Sequence, residues 1–470
     1  MIALVILVFH VLGLVSSIHA IMNTRTEQGA IAWAVSLNTI PYLAVPAYWV
    51  LGNSRFQGYV VAHRGEMQEI AGLTEDARQA VGSFMRPEDE ISPVVGAIQA
   101  LAGLPYLEGN SVDLLVDGDA TFSSILEGID AAENYILFQF FIVHDDEIGR
   151  AVKQHLINRA NAGVRVYFLY DEIGSHDLPS AYKDELRAAG VEVYDFHTQK
   201  GPGNRFQINF RNHRKVVVVD GKVAWVGGHN VGDEYLGRDP QFGHWRDTHV
   251  RIEGPAALGA QVSFAEDWYW ATERWPEVEW TPVPSNTGDL PVLILPSGPA
   301  DPVETANLMF VQAINRATER IWIASPYFVP DRPVITALQL ASLRGVDVRI
   351  LIPDKADHLA VWLAAYSYLD DFSSTGIDFY RYMDGFMHQK VMLIDDVVAT
   401  VGTANFDNRS FRLNFEITAL VADGEFAGEV ERMLGNDFAK SRRMDPGEYD
   451  AKPWWFRFAV NLARLTSPVQ

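Results

Sequence analysis

Two long apolar runs open the chain. Ile2–Met22 is interrupted only by His10, Ser16, Ser17 and His19, and Gly29–Leu51 has Asn38 as its most polar member. Each run is about as long as the ~20 residues that cross a bilayer as helix. Trp33, Tyr42, Tyr48 and Trp49 sit near the ends of the second run, where amphipathic rings favour the lipid interface, and Pro41 and Pro46 predict a kink within it. A cleaved signal peptide needs a basic leading region, yet no lysine or arginine precedes Arg25. The pattern therefore predicts a hairpin of two spans over residues 1–60. Arg25 lies in the connector and Arg55, His63 and Arg64 follow the second run; this bias places both termini and the globular body in the cytoplasm.

Residues 61–110 are mixed, acidic at Glu75, Asp76 and Glu88–Glu90, with a short apolar helix predicted around Val94–Leu104, and read as a connector. From Ser111 strands and helices alternate. Tyr135–Val143 has the length of a buried strand, Asp146–Asn161 is amphipathic and closed by Gly163, and Val164–Tyr170 is the next strand. Ser180–Ala189, closed by Gly190, and Val191–Phe196 repeat the pair. The second half does the same: strand Arg320–Val329, helix Asp331–Arg344 closed by Gly345, strand Val346–Ile352, strand Ile377–Tyr382. The expected fold class is α/β, with two pseudo-repeated domains, 111–290 and 291–445, forming one body. Residues 446–470 follow, where PWWFRFAVNLARL places Trp454, Trp455, Phe458, Leu462 and Leu465 near helical spacing; this suits an amphipathic helix at a lipid interface, or one packed on the body.

Composition narrows the chemistry. The chain of 470 residues has no cysteine, which excludes disulfides, thiolate metal sites and cysteine nucleophiles. Its formal charge of -22 opposes polyanions, so nucleic acid is not an expected partner and any phosphate site must be a local basic pocket.

That pocket has a candidate. Asn212–Asn230 reads NHRKVVVVDGKVAWVGGHN, and Met387–Phe406 reads MHQKVMLIDDVVATVGTANF. Both contain His-x-Lys-x4-Asp followed by Gly-x-x-Asn at one fixed distance: His213, Lys215, Asp220, Gly227, Asn230, and His388, Lys390, Asp395, Gly402, Asn405. One such spacing arises by chance in roughly a few per cent of chains this long, and a matched pair far less often. The histidines lie 175 residues apart (388 − 213), a domain's length, so each repeat carries one copy. Lys215–Asp220 and Lys390–Asp395 read as strands, followed by strands Val223–Val226 and Val397–Val401. Residues two apart on a strand share a face, so each histidine sits beside its lysine.

Two imidazoles and two ammonium groups converging suit phosphodiester chemistry. One neutral imidazole attacks phosphorus to give a phosphohistidine while the other, protonated, donates to the leaving oxygen. The lysines stabilise charge on the non-bridging oxygens, and Asn230 and Asn405, beside Gly228 and Thr403, offer neutral donors. Each imidazole needs an acceptor at its second nitrogen, and Asp247 and Glu416 stand at matching places, Asp247 being expected behind His213. Asp220 and Asp395, five residues from the lysines, are expected to brace the motif rather than touch substrate. Arg205, Arg211 and Arg214 are candidates for an anionic headgroup. No metal is expected, since there is no HExxH and a lysine accompanies each histidine. His229, His244 and His249 have no counterparts in the second copy.

These motifs resemble the phospholipase D superfamily over about Ser111–Arg443. More narrowly the chain is similar to the bacterial cardiolipin synthases, through its apolar N-terminal runs, YDEIGS at Tyr170–Ser175, NHRK, WRDTHVRIEGP at Trp245–Pro255, and SPYFVPD at Ser325–Asp331, which brings in Tyr327 as a substrate-side residue. The resemblance implies phosphatidyl transfer between two phosphatidylglycerols, giving cardiolipin and glycerol, at a bacterial inner membrane, with no metal and no nucleotide cofactor. It carries catalytic roles onto His213, Lys215, Asp220, His388, Lys390 and Asp395, with Asn230 and Asn405 in support. Gly228 departs from the superfamily's usual serine, whereas Thr403 keeps a hydroxyl. Hydrolysis of phospholipids to phosphatidic acid, or a nuclease-like phosphodiesterase activity, is the alternative. The oligomeric state is left open, a homo-oligomer among the options.

Overall fold

Short runs of β-branched and aliphatic residues, VVVV at Val216–Val219 and VMLI at Val391–Ile394, are buried along their whole length and occupy the interior of one long sheet. The computed structural model describes residues 2–24, 26–52, 81–85, 93–197, 209–355, 357–372 and 374–467. Most of the 61–110 connector and Arg205 therefore lie outside the described residues. The sheet has two halves of mirrored order about a seam. From the seam outward the first half runs Leu107–Val116, Thr248–Glu253, Val223–Gly227, Val216–Val219, Tyr135–Phe140, Arg165–Asp171 and Glu192–Phe196. The second runs Leu290–Ser297, Asn414–Val421, Val398–Gly402, Val391–Ile394, Arg320–Ala324, Asp347–Pro353 and Asp378–Tyr382. Leu107 pairs antiparallel with Val292, and Asn110 with Leu290, across the seam.

The half-sheets turn one face toward each other. Val216, Val218, Ala224 and Val226 share a buried core with Val391, Leu393, Ala399 and Val401. The opposite faces are covered by helices, Asp117–Ala131, Glu147–Asn161 and Ser180–Ala188 on the first half, and Thr305–Arg316, Arg332–Leu343 and Leu359–Phe372 on the second. The α/β repeats read from the sequence thus form one body. Asp146 and Asp331 cap their helices by accepting from Gly149 and Val334, and Gly163, Gly190 and Gly345 end helices with positive φ. The strand expected over Arg320–Val329 is two, Arg320–Ala324 and Phe328–Val329, because Ser325-Pro326-Tyr327 turns between them.

The N-terminal runs depart from a two-span hairpin. Among the described residues one helix, Ile2–Asn23, is long and apolar enough to cross a membrane. The second run is two helices, Glu27–Thr39 and Pro41–Leu51, broken at Ile40 (φ -133°, ψ 58°). Proline drives its predecessor out of the helical region and supplies no N–H, so Pro41 breaks the run, while Pro46 is carried inside the second helix. The second helix then folds back. Phe9 packs at a tilt against Tyr42, Asn38 Nδ2 donates to Ser17 Oγ (2.6 Å), Trp49 Nε1 donates to Ser16 Oγ (3.0 Å), His19 bonds Tyr48 (2.7 Å), and Trp33 meets Tyr48 edge-on. At 1.5 Å per residue the two arms reach roughly 20 and 16 Å, short of a hydrocarbon core of about 30 Å. Leu51 and Gly52 therefore return to the level of Thr24–Gly29, against the body.

Asp220 and Asp395 close the turns after the two motif strands with φ of 52° and 49°. The Asp220 carboxylate accepts from the backbone N–H groups of Glu133, Asn134 and Tyr135, each at 2.8 Å. Asp395 accepts from those of Thr318, Glu319 and Arg320. Each pins the start of the adjacent strand, roughly 16 Å along the chain from its lysine at 3.3 Å per residue. Asp220→Ala should lower unfolding free energy by about 2–4 kcal/mol, since charge-assisted bonds are lost and a left-handed φ is imposed on alanine. Asp220→Asn, which tolerates that φ and keeps an acceptor, should lose less. Equal losses in denaturant titrations would contradict the brace.

Candidate active site

The first motif is not completed by its own repeat. Arg211–Asn212 pairs in parallel with Asn414–Phe415 of the second half, and His213 N–H donates to the Phe415 carbonyl (2.9 Å). Reciprocally, Trp245–Arg246 pairs with Phe386–Met387, and His388 N–H donates to the Arg246 carbonyl (2.8 Å). Each histidine is thus the first residue beyond a two-residue ribbon shared between repeats. Buried ion pairs hold these ribbons. Arg246 grips Asp437 through two bonds of 2.8 Å, and Arg214 bonds Asp267 (2.8 Å) and the Glu416 carbonyl (3.1 Å).

The consequence is a crossed arrangement that corrects the expected one. His213 Nδ1 lies 2.9 Å from Glu416 Oε2, and His388 Nδ1 lies 2.8 Å from Asp247 Oδ2. Asp247 therefore stands behind His388, because the shared ribbons carry each motif onto the other repeat's strand. A carboxylate only accepts, so Nδ1 carries the proton in both rings and Nε2 presents a lone pair. Glu416 is the hub of a wider network, accepting also from Thr403 Oγ1 (2.6 Å), Ser410 Oγ (2.8 Å) and Asn414 Nδ2 (3.1 Å). Burial raises its pKa, but His213, Lys215 and Thr403 hold it below the ordinary value.

Lys215 Nζ donates to the His213 carbonyl (2.7 Å) and sits 5.3 Å from the Phe141 ring centre. Lys390 Nζ donates to the His388 carbonyl and lies 2.9 Å from ring Nδ1 and 3.1 Å from Nε2. Trp245 and Tyr235 wall the His388 side, and Phe141 the His213 side. Dehydration dominates the charges. It pushes Lys215 down to about 7 and Lys390 to about 8. His213 falls to about 4, and His388 well below its ordinary value through burial and the charges of Lys390 and Lys215. Burial thus disfavours the charged form of all four groups.

The other expected residues take varied positions. An added Cβ at Gly228 would lie 2.0 Å from Asp247 Oδ1, so the missing side chain makes room for the carboxylate that holds His388. Thr403 plays the complementary part by donating to Glu416. Both positions thus bear on the carboxylates behind the histidines. Asn230 is committed to Tyr235 OH (2.8 Å) and Ile142 N–H (3.2 Å), while the buried Asn405 Oδ1 has no hydrogen-bond partner among the described residues. Arg214 is a buried framework residue, which removes it from the headgroup candidates. Arg211 is half-buried and bonds the Phe210 carbonyl (2.6 Å), and Tyr327 donates to Asp357. His229 and His249 are buried together, Nδ1 to Nδ1 at 3.1 Å, and His244 pairs with Asp117. Sequence reading missed Ser410, Asn414, Tyr235, Phe141 and Asp267. Tyr235, Ser410 and Asn414 lie close after the motifs, whereas Phe141 and Asp267 are more than thirty residues from either and reach the site only through the tertiary fold.

The family model described as "Cardiolipin synthase, PLD-like domain" matches residues 125–268 and 310–438. Cardiolipin synthase A of Pseudomonas putida is 48% identical over 465 residues, covering 98% of this chain and 96% of that protein. Its counterpart from Pseudomonas aeruginosa is 49% identical over 463 residues, covering 98% and 94%. Among solved structures, the phosphatidylserine synthase of Haemophilus influenzae shares the fold with a TM-score of 0.62 at 14% identity, over 81% of this chain and all of that one. The two matched segments each contain one histidine motif, and relatives align from end to end: the chain belongs to the cardiolipin synthase family of phospholipase D-like proteins.

Proposed function

We propose that the chain is a membrane-bound phosphatidyltransferase that makes cardiolipin and glycerol from two molecules of phosphatidylglycerol. The observation that carries the reading is the crossed pair of histidines, each with its lysine and a carboxylate from the other repeat, in one buried site of a chain that aligns end to end with cardiolipin synthases. In this reading the lipid's anionic phosphate favours a second proton on His388, taken up from solvent at Nε2; His213 Nε2 then attacks phosphorus, the bond from phosphorus to the glycerol headgroup oxygen breaks, and His388 gives that oxygen the Nε2 proton. Glu416 supports the positive charge on phosphohistidine. The headgroup hydroxyl of a second phosphatidylglycerol then gives a proton to His388, attacks phosphorus and displaces His213. Lys215 and Lys390 stabilise the non-bridging oxygens. Asp220 and Asp395 brace the strands.

The N-terminal unit and the C-terminal helix support a membrane location. Helix Trp454–Arg464 buries Val460 and Ala463 against the body and leaves Trp454, Trp455, Phe458, Leu462 and Leu465 more than half exposed. Arg464, at its end, lines the same cavity as Thr24 and Gly52 at the foot of the N-terminal unit, so aromatic face and membrane helix meet one region of the body. With Ile2–Asn23 as the one crossing among the described residues and the arms re-entrant, this reading puts the N-terminus and the body on opposite faces of the bacterial inner membrane, the body cytoplasmic.

Three measurements test this reading. Purified chain given phosphatidylglycerol alone should form cardiolipin and glycerol, and His213→Ala or His388→Ala should each lose at least about 10³-fold in turnover while folding normally. Phosphatidic acid without cardiolipin would establish hydrolysis instead, and a phosphatidyl adduct mapped to His388 would reverse the roles. Second, an anion in the site raises the lysine and histidine pKa values, so binding an inert phosphodiester analogue at pH 8 should take up protons and weaken as pH rises further. Calorimetry in buffers of different ionisation enthalpy reads this; absence of uptake contradicts it. Third, a reporter fused to the N-terminus should be active only in the periplasm and one at the C-terminus only in the cytoplasm, whereas two spans would place both in the cytoplasm.

A further inference from the structure

Where the N-terminal unit meets the body there is a cavity of about 580 Å³. Its walls come from both parts: Thr24 and Trp33 from the helices, Asn209, Asp331, Tyr368 and Arg464 from the body. Thr24 directly follows the helix Ile2–Asn23, and the re-entrant arm returns at Gly52 to the same wall. A membrane-crossing helix ends at the depth of the headgroups, so the cavity sits at that depth on the body's side.

The lining divides by chemistry. Trp33 and Tyr368 are aromatic, and the Thr24 hydroxyl is buried with no hydrogen-bond partner among the described residues. Arg464 spends one edge on Asp371 (2.6 Å) and stacks on Tyr368 (5.5 Å). A guanidinium has five donors, so it keeps some for a second anion. Asp331 does not oppose this, because it is bound to Arg412 (2.9 Å) and Asn307 (2.5 Å). The volume lies within the range of small-molecule sites. Asn209 ties the cavity to the chemistry: its Nδ2 donates to the Leu51 carbonyl (3.0 Å), its carbonyl accepts from Arg409, and it stands four residues before His213.

We propose that this cavity is a phospholipid site separate from the histidine site, holding the anionic glycerophosphate headgroup of a lipid taken from the leaflet beside the body. The inference rests on the membrane reading above and adds a second lipid position next to the first motif. Native mass spectrometry of the full chain in detergent, supplied with phosphatidylglycerol, tests it with two variants on different segments. Thr24→Phe fills the cavity from the helical side without touching an ion pair, and Arg464→Gln removes one of the three arginines in its wall, the others being Arg332 and Arg412. Each should retain one phosphatidylglycerol fewer per chain than the parent protein, and His213→Ala should retain as many as the parent. Equal retention by the parent and both variants would overturn the site. Release of the additional lipid by inorganic phosphate alone would also overturn it, as it would mark a free-phosphate site. Failure of the parent protein to form cardiolipin would overturn the enzymatic reading and leave this lipid count unchanged, so the two failures are distinguishable.

Discussion

The site depends on two imidazole–carboxylate bonds that cross between repeats. His213 is held by Glu416 and His388 by Asp247, so neither motif has its tautomer fixed until the two halves have joined. The crossing follows from the seam. Antiparallel pairing of the two central strands mirrors the halves, and the two-residue ribbons at Arg211–Asn212 and Trp245–Arg246 then thread each motif onto the opposite repeat. A lone repeat would hold a histidine and a lysine with no acceptor behind the ring. The buried pairs Arg246–Asp437 and Arg214–Asp267 tie the ribbons to helices of each half, where an unpaired charge would be costly.

The same burial sets the site's electrical condition. Burial lowers the affinity of the two lysines and two histidines for protons, the lysine charges lower it further for both histidines and for Lys215, and the carboxylates only partly compensate. An anion placed among these groups would favour their charged forms again. The repeats reach this state by unlike means. Gly228 clears space for the shorter Asp247, while Thr403 bonds the longer Glu416.

The membrane unit shows how one residue redirects a hydrophobic pattern. Residues 29–51 satisfy the composition of a span, yet Pro41 divides them into arms too short to cross. Polar contacts between Asn38 and Ser17, and between Trp49 and Ser16, then favour folding back onto the first helix, since polar groups within the unit need partners.

Much of this protein was legible in its sequence. Hydrophobic periodicity and terminal glycines located several strands and helices to within a residue, as at Glu147–Asn161 and Asp347–Pro353, because those boundaries are local physics, whereas the strand expected over Tyr135–Val143 ends at Phe140. Duplicated spacing identified the histidines and lysines, since a strand's two-residue period fixes which side chains share a face. Spacing also assigned Asp220 and Asp395 to a bracing position far from their lysines. The tertiary structure alone decided which carboxylate serves which histidine, that Arg214 is framework, that Gly228 acts through Asp247, and that the second apolar run turns back. Each of these depends on contacts between residues distant in the chain, such as His213 with Glu416 or Trp33 with Tyr48, and no local period encodes such partners.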